Sequence, residues 1–233
     1  MATVVVALGG SLLRPELDHR HKWLLDLVVI LRKRVDSGDR VGLVVGGGAP
    51  AREGIELAKP IIDDTDHLDR IGIAATRLNA TIVREALSDG GIPVSGKIPK
   101  TVDDAVLELE EWGVVVMGGT VPGHTTDAVA VKLAIRSGAE KCVIATNVSK
   151  VYANDPRLDP ESEAFDSLTL EQLQGIVGPP EHSVAGGSQV VDPVGVGEAL
   201  TNGLALDILD GRDTDKIRRS LEGKDFDGTK VRG

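Results

Sequence analysis

The chain has 233 residues, and 26 Lys plus Arg against 36 Asp plus Glu give a formal net charge of −10. That length suits one generous domain that buries roughly 70% of its unfolded surface, and the single cysteine, Cys142, excludes an intramolecular disulfide and a Cys-based zinc site. The acid excess argues against non-specific binding to nucleic acid or an anionic membrane, and the five aromatics (Trp23, Trp112, Tyr152, Phe165 and Phe226) are too few for a base-stacking platform.

The opening Met1–Leu8 stretch lacks a charged leader, and no apolar run approaches the ~20 residues that span a bilayer. With one thiol, the chain is expected in the reducing cytoplasm. Thr3–Leu8 predicts a first strand, which runs into Gly9-Gly10-Ser11. Trp23, Leu24, Leu27, Val28, Leu31 and Val35 then recur at helical spacing. A second strand, Val41–Val45, ends in Gly46-Gly47-Gly48, with Arg52 near the start of the next helix. Asp69 precedes a predicted helix over Ile71–Leu87, and Thr101 is a candidate N-cap for a helix over Thr101–Glu110.

Val114–Met117 predicts a third strand, followed by Gly118-Gly119-Thr120 and a helix over Thr126–Ser137. Further strands are expected at Lys141–Ala145 and Leu204–Leu209, with a helix entry at Ser167–Glu171 between them. None of these runs alternates strictly with polar residues, which is how strands buried on both faces read. The β–α–β order therefore predicts an α/β fold: a three-layer αβα sandwich around a mostly parallel central sheet. In such sheets ligands sit beyond the carboxyl ends of the strands.

Three buried strands thus lead into glycine-rich turns at one edge of one sheet. Their backbone amides, and those of the helices behind them, suit a polyphosphate. No GxxxxGK[ST] or GxGxxG motif occurs. Arg52 is placed to meet phosphate oxygens. The stretch Gly118–Asp127 holds Gly123, His124 and the hydroxyls of Thr120, Thr125 and Thr126. Those hydroxyls can cap a helix and hold a phosphate at once. Asp127 can orient a lysine, bind through a metal, or sit favourably in a first helical turn. His124 has no second histidine at ligand spacing, so no protein-held metal site is expected. Asp69 is a helix-start aspartate that could also accept from sugar hydroxyls. Tyr152, beside Asn154-Asp155-Pro156, is an aromatic that could hold a flat base.

The segments LGGSLL, VVGGGAPARE, DRIGIAATRLNA, MGGTVPGHTTDAVA, ATNVSKVYANDPRLDP, VVDP and GTKV follow one another through nearly the whole chain. In order and spacing they resemble the amino-acid-kinase superfamily and, within it, the archaeal-type uridylate (UMP) kinases. The resemblance implies transfer of the ATP γ-phosphate to UMP, with Mg²⁺ held mainly by the substrate phosphates. It implies one kinase domain over 1–233, its N-terminal part binding UMP and its C-terminal part ATP, in a homohexamer. Carried over by position, Gly47, Asp69, Thr120, Val121, Pro122, Gly123, His124, Thr125 and Thr126 would hold UMP. Gly10, Ser11, Gly48, Arg52, Thr146, Asn147, Tyr152 and Asp155 would hold ATP, with Arg52 and Asp127 catalytic. Where many relatives carry a lysine before the first glycine turn and another after the late Asp-Pro, this chain has Ala7 and Gly197. Ser149-Lys150 replaces a common Asp-Gly, which makes Lys150 a reserve cation. A kinase for another small phosphate or carboxylate, or a nucleotide- or oxyanion-binding homologue without turnover, would use the same loops.

Overall fold

The computed structural model describes residues 1–13, 20–156, 158–181 and 190–233; Arg157 of the ATNVSKVYANDPRLDP motif lies outside them. In chain order the elements are β1 (Thr3–Leu8), α1 (Arg20–Asp36), β2 (Arg40–Val45), α2 (Gly48–Ala58), α3 (Thr65–Asp89), α4 (Val102–Trp112), β3 (Val114–Met117) and α5 (Thr126–Arg136). There follow β4 (Lys141–Thr146), β5 (Val151–Tyr152), β6 (Ala164–Phe165), β7 (Ser167–Thr169), α6 (Leu170–Val177), α7 (Pro193–Asn202), β8 (Ala205–Asp210), α8 (Thr214–Leu221) and β9 (Gly228–Arg232).

The central sheet has the order β3-β2-β1-β4-β8-β9-β7. Neighbours run parallel except β8 and β9, and β5 pairs separately with β6. The strands are buried on both faces, so their side chains divide by parity. Val5, Ala7, Val44, Val115, Cys142 and Ile144 point into a core shared with α4, α5, α6 and α7. Val4, Val6, Leu8, Leu43, Val116 and Val143 point into a second core with α1, α3 and α8. Each buried valine or leucine is worth about 1.5–3 kcal/mol, and the two cores make this the expected three-layer sandwich. None of the described helices is long and apolar enough to cross a membrane.

Two expectations change. The helix around Asp69 begins earlier, at Thr65, because Asp64 caps it by accepting from the amides of Asp66 and His67 at 2.8 and 3.2 Å. Asp69 therefore lies inside α3, not ahead of it. The expected helix entry at Ser167–Glu171 holds from Thr169, which forms a reciprocal capping box with Gln172, but the short strand β7 precedes it. Thr101 caps α4 as expected, accepting from Asp104 N at 3.1 Å.

The chain leaves β1 outward through β2 and β3, then returns to β4 on the other side of β1. That reversal opens a crevice beyond the carboxyl ends of β1 and β4. All three glycine turns stand at this edge.

Candidate functional site

The first two glycine turns interlock through their backbones. A Cβ on Gly10 would lie 2.2 Å from Gly48 N and 2.5 Å from Gly46 O. A Cβ on Gly48, whose φ is +58°, would lie 2.4 Å from Gly10 O. No side chain fits between the two crossings. Gly9 N donates to Ala145 O and Gly46 N to Leu8 O, both at 2.8 Å, so the crossing is anchored to the sheet.

Helix α3 holds the other side. Asn79, 1% exposed, donates through Nδ2 to Gly46 O at 2.8 Å and Gly47 O at 3.0 Å. Thr76 Oγ1 accepts from Gly119 N at 2.7 Å, and Arg77 Nη2 donates to Gly119 O at 3.3 Å and Thr120 O at 3.5 Å. Asp69 Oδ2 accepts from Gly123 N at 2.7 Å. One helix thus clasps the turns after β2 and β3. A cleft of about 560 Å³ lies between them, lined by Gly47, Gly48, Arg52, Glu56, Lys59, Asp69, Val121, Gly123, His124, Thr125 and Thr126 among others.

Helix α2 opens onto this cleft. Its N-cap is Gly47, which has no side chain to offer, so the first-turn amides and the positive end of the helix remain available to an anion. Arg52 is exposed in the second turn and, among the described residues, forms no ion pair. Helix α5 differs: Thr125 caps it, accepting from Ala128 N at 3.3 Å. Asp127, in its first turn, keeps some solvent contact and is close to Asp192, which caps α7. Its packed surroundings, and secondly the Asp192 charge, push the Asp127 carboxyl up to about 7. Among the described residues no group of three side chains could hold a metal ion.

A second cleft, about 320 Å³, opens beyond β4. Thr146, Asn147, Tyr152, Asp155, Ile176 and Val177 are among its lining residues. Tyr152 Oη and Ser149 Oγ share a hydrogen bond of 2.6 Å.

Most of the residues expected at the site line one of the two clefts, but Asp127 lines neither. Gly47, Asp69, Val121, Gly123, His124, Thr125 and Thr126 line the first cleft; Thr120 and Pro122 belong to the same loop but not to its wall. Thr146, Asn147, Tyr152 and Asp155 line the second cleft. Gly48 and Arg52, expected with the second group, line the first cleft, while Gly10 and Ser11 line neither. The reserve cation Lys150 is engaged by Asp166 Oδ1 at 2.5 Å and Asp227 Oδ1 at 3.2 Å. Ala7 is buried in β1, and a Cβ on Gly197 would already lie 2.8 Å from Pro180 Cβ. A side chain at position 197 would therefore have to displace Pro180.

Sequence reasoning did not assign Thr76, Arg77, Asn79 or Lys59. For Thr76 and Asn79 a signal exists: they share the buried stripe of α3 with Ala80, Val83 and Leu87, where a polar side chain needs a partner.

The Amino acid kinase family model matches residues 2–203. The chain is 37% identical over 232 residues to the uridylate kinase of Methanospirillum hungatei, covering 99% of this chain and 95% of that protein. It is 36% identical to the uridylate kinase of Natronomonas pharaonis, over 98% and 97% of the two chains. Among solved structures it resembles uridylate kinase from Archaeoglobus fulgidus, with a TM-score of 0.83 and 33% identity, covering 98% of this chain and 99% of that one.

Proposed function

The chain belongs to the amino acid kinase family, and from that membership we infer that it transfers the γ-phosphoryl group of ATP to UMP, giving ADP and UDP. One observation carries this reading for the chain's own residues: two clefts open on one sheet edge, at the turns after β2, β3 and β4, with the uncapped start of α2 and Arg52 in the first. The first cleft, in the N-terminal part, takes UMP, and the second, in the C-terminal part, takes the ATP nucleoside. Residues 1–233 act as one kinase domain.

The chemistry asks for alignment and charge stabilisation. A phosphate oxygen of UMP attacks the γ-phosphorus, the bond from that phosphorus to the β,γ-bridging oxygen breaks, and ADP leaves with the electron pair. A phosphate monoester is largely ionised at pH 7, with its second pKa near 6, so its oxygen needs no general base. The protein's task is to hold two anions end to end. The amides of Gly47 and Gly48 meet the acceptor phosphate, with Thr125 and Thr126 opposite. Gly10 and Ser11, between the clefts, face the donor phosphates. Arg52 meets the moving phosphoryl group.

Mg²⁺ fits this site, because it takes one or two carboxylates and fills its remaining positions with phosphate oxygens and water. Asp127, which follows the cleft residues Thr125 and Thr126 but lines neither cleft itself, would supply one carboxylate, and Asp192 close by could supply a second through the oxygen that does not cap α7. When bound, the ion neutralises phosphate charge. Asp127 would then lose its proton more readily than in the free protein.

The enzyme works in the cytoplasm as a hexamer. The buried free thiol of Cys142 supports the first statement. Exposed Leu78 and Ile82 on α3, with Leu25 and Val29 on α1, supply apolar surface for the second. Release of ADP from ATP, Mg²⁺ and a panel of acceptors tests the activity. UMP should outperform every other phosphate or carboxylate acceptor; a better acceptor, or binding without ADP release, overturns the reading.

A further inference from the structure

We propose that Lys150 is a positioning residue for the phosphoryl donor: by bridging Asp166 and Asp227 it sets segment 149–152, and through it the Tyr152 ring, in the second cleft. The proposal rests on the reading of that cleft as the ATP pocket.

Strands β5 and β6 are two residues each, and a hairpin that short does not hold itself in water. Its position is set from outside. Val151 N donates to Thr229 Oγ1 at 2.9 Å, and the same buried hydroxyl donates to Phe165 O at 2.5 Å. One side chain of β9 thus ties both strands. Lys150 adds the second tie. Its ammonium reaches Asp166, just beyond β6, and Asp227, just before β9. Asp227 is held from its other oxygen by Lys216 of α8 at 2.6 Å. A strut therefore runs from α8 through Asp227 and Lys150 to the end of β6.

The lysine side chain is 22% exposed, whereas Asp166 and Asp227 are 85% and 58% exposed. Ion pairs to such carboxylates add little stability in themselves. What Lys150 does is geometric. It lies between Ser149, whose hydroxyl is bonded to Tyr152, and Val151, which is bonded to Thr229. Both neighbours lead to the ring that lines the donor cleft. The bridging carboxylates also raise the lysine pKa, so the strut keeps its charge through the physiological range.

Tyr152 is the chain's single tyrosine, so ring-¹³C-tyrosine NMR reads this position alone. Lys150→Gln should shift or broaden that resonance in the nucleotide-free protein. It should also raise KM for ATP about three- to tenfold, the scale of losing two exposed ion pairs. Saturating kcat and KM for UMP should stay within about twofold, since the change leaves the first cleft intact. Lys150→Arg should restore both readouts. If Lys150→Gln fails to fold, Asp166→Asn removes an exposed partner and carries the same test. A variant with wild-type tyrosine resonance and KM for ATP, whatever its Tm, overturns the proposal alone. A wild-type resonance that ATP does not move overturns the donor-pocket reading, and the proposal with it.

Discussion

The two clefts are held in place by different physics. The first is a junction of backbones: Gly10 passes between Gly46 and Gly48 with no space for a methyl group, and Asn79 and Thr76 fasten the turns from a buried helix face. The second rests on a two-residue hairpin tied by hydroxyls and by an ion-paired lysine at the surface. Backbone crossings are all-or-none, because a close-packed junction cannot yield by half an ångström. Side-chain ties yield gradually. The cleft assigned to the acceptor is accordingly rigid, while the donor side is adjustable through single residues.

The strongest way to break this contrast is Gly48→Ala. The added Cβ meets backbone at 2.4 Å from a φ of +58°, and we expect about 3 kcal/mol or more of lost stability with near-complete loss of activity. A folded, active variant in thermal melts and assays would show that the crossing is soft. Next is Arg52→Ala. Losing one charge contact in phosphoryl transfer costs about 3–4 kcal/mol of barrier, so turnover should fall at least about a hundredfold. Because Arg52 is exposed, its Tm should not change; a drop in Tm that tracks the loss of turnover would make Arg52 part of the scaffold instead.

Asp127→Asn separates charge from packing. The folded-state pKa of Asp127 is raised from 3.8 to about 7. The folded protein therefore binds more protons than the unfolded chain between those values, and this group makes stability fall as pH rises from about 4 to about 7. The asparagine variant should gain Tm relative to wild type at pH 8 more than at pH 5. Its turnover should nevertheless drop roughly tenfold or more. An equal Tm difference at both pH values would show that neither burial nor the Asp192 charge raises the Asp127 carboxyl.

The mildest probe is Thr229→Val, which removes the ties to Val151 and Phe165 but keeps shape. A buried amide left without a partner costs about 1–3 kcal/mol locally. KM for ATP should rise severalfold while KM for UMP holds. An equal rise in both constants would mean that the clefts are not mechanically separate.

Much of this was legible along the chain. The strand cores of β1, β2 and β3 announce themselves as β-branched runs ending in glycine, β4 and β8 as short apolar runs, and the caps Thr101, Thr125 and Thr169 stand where helices start. Strands β5, β6 and β7 are too short for any period to register. Strand β9 reads Gly-Thr-Lys-Val-Arg and carries two cations, so it offers no apolar run. Asp69 was legible as a polar residue near a helix start. Its partner, Gly123, is 54 positions away, and no local pattern reports such a pair.

The amino-acid sequence by itself determined the layer order, the glycine turns and the set of residues that face one sheet edge. These follow from local period and backbone freedom, which each segment carries alone. Only the tertiary structure decided which cleft each residue lines. It moved Arg52 and Gly48 to the first, engaged Lys150 in a bridge, and set Asp127 beside Asp192. Those outcomes depend on distances between segments that the chain brings together only after its strands have paired. For the same reason a net charge of −10 is compatible with two anionic substrates. The site's favourable field comes from amides gathered at one edge and from very few cations, not from the total charge.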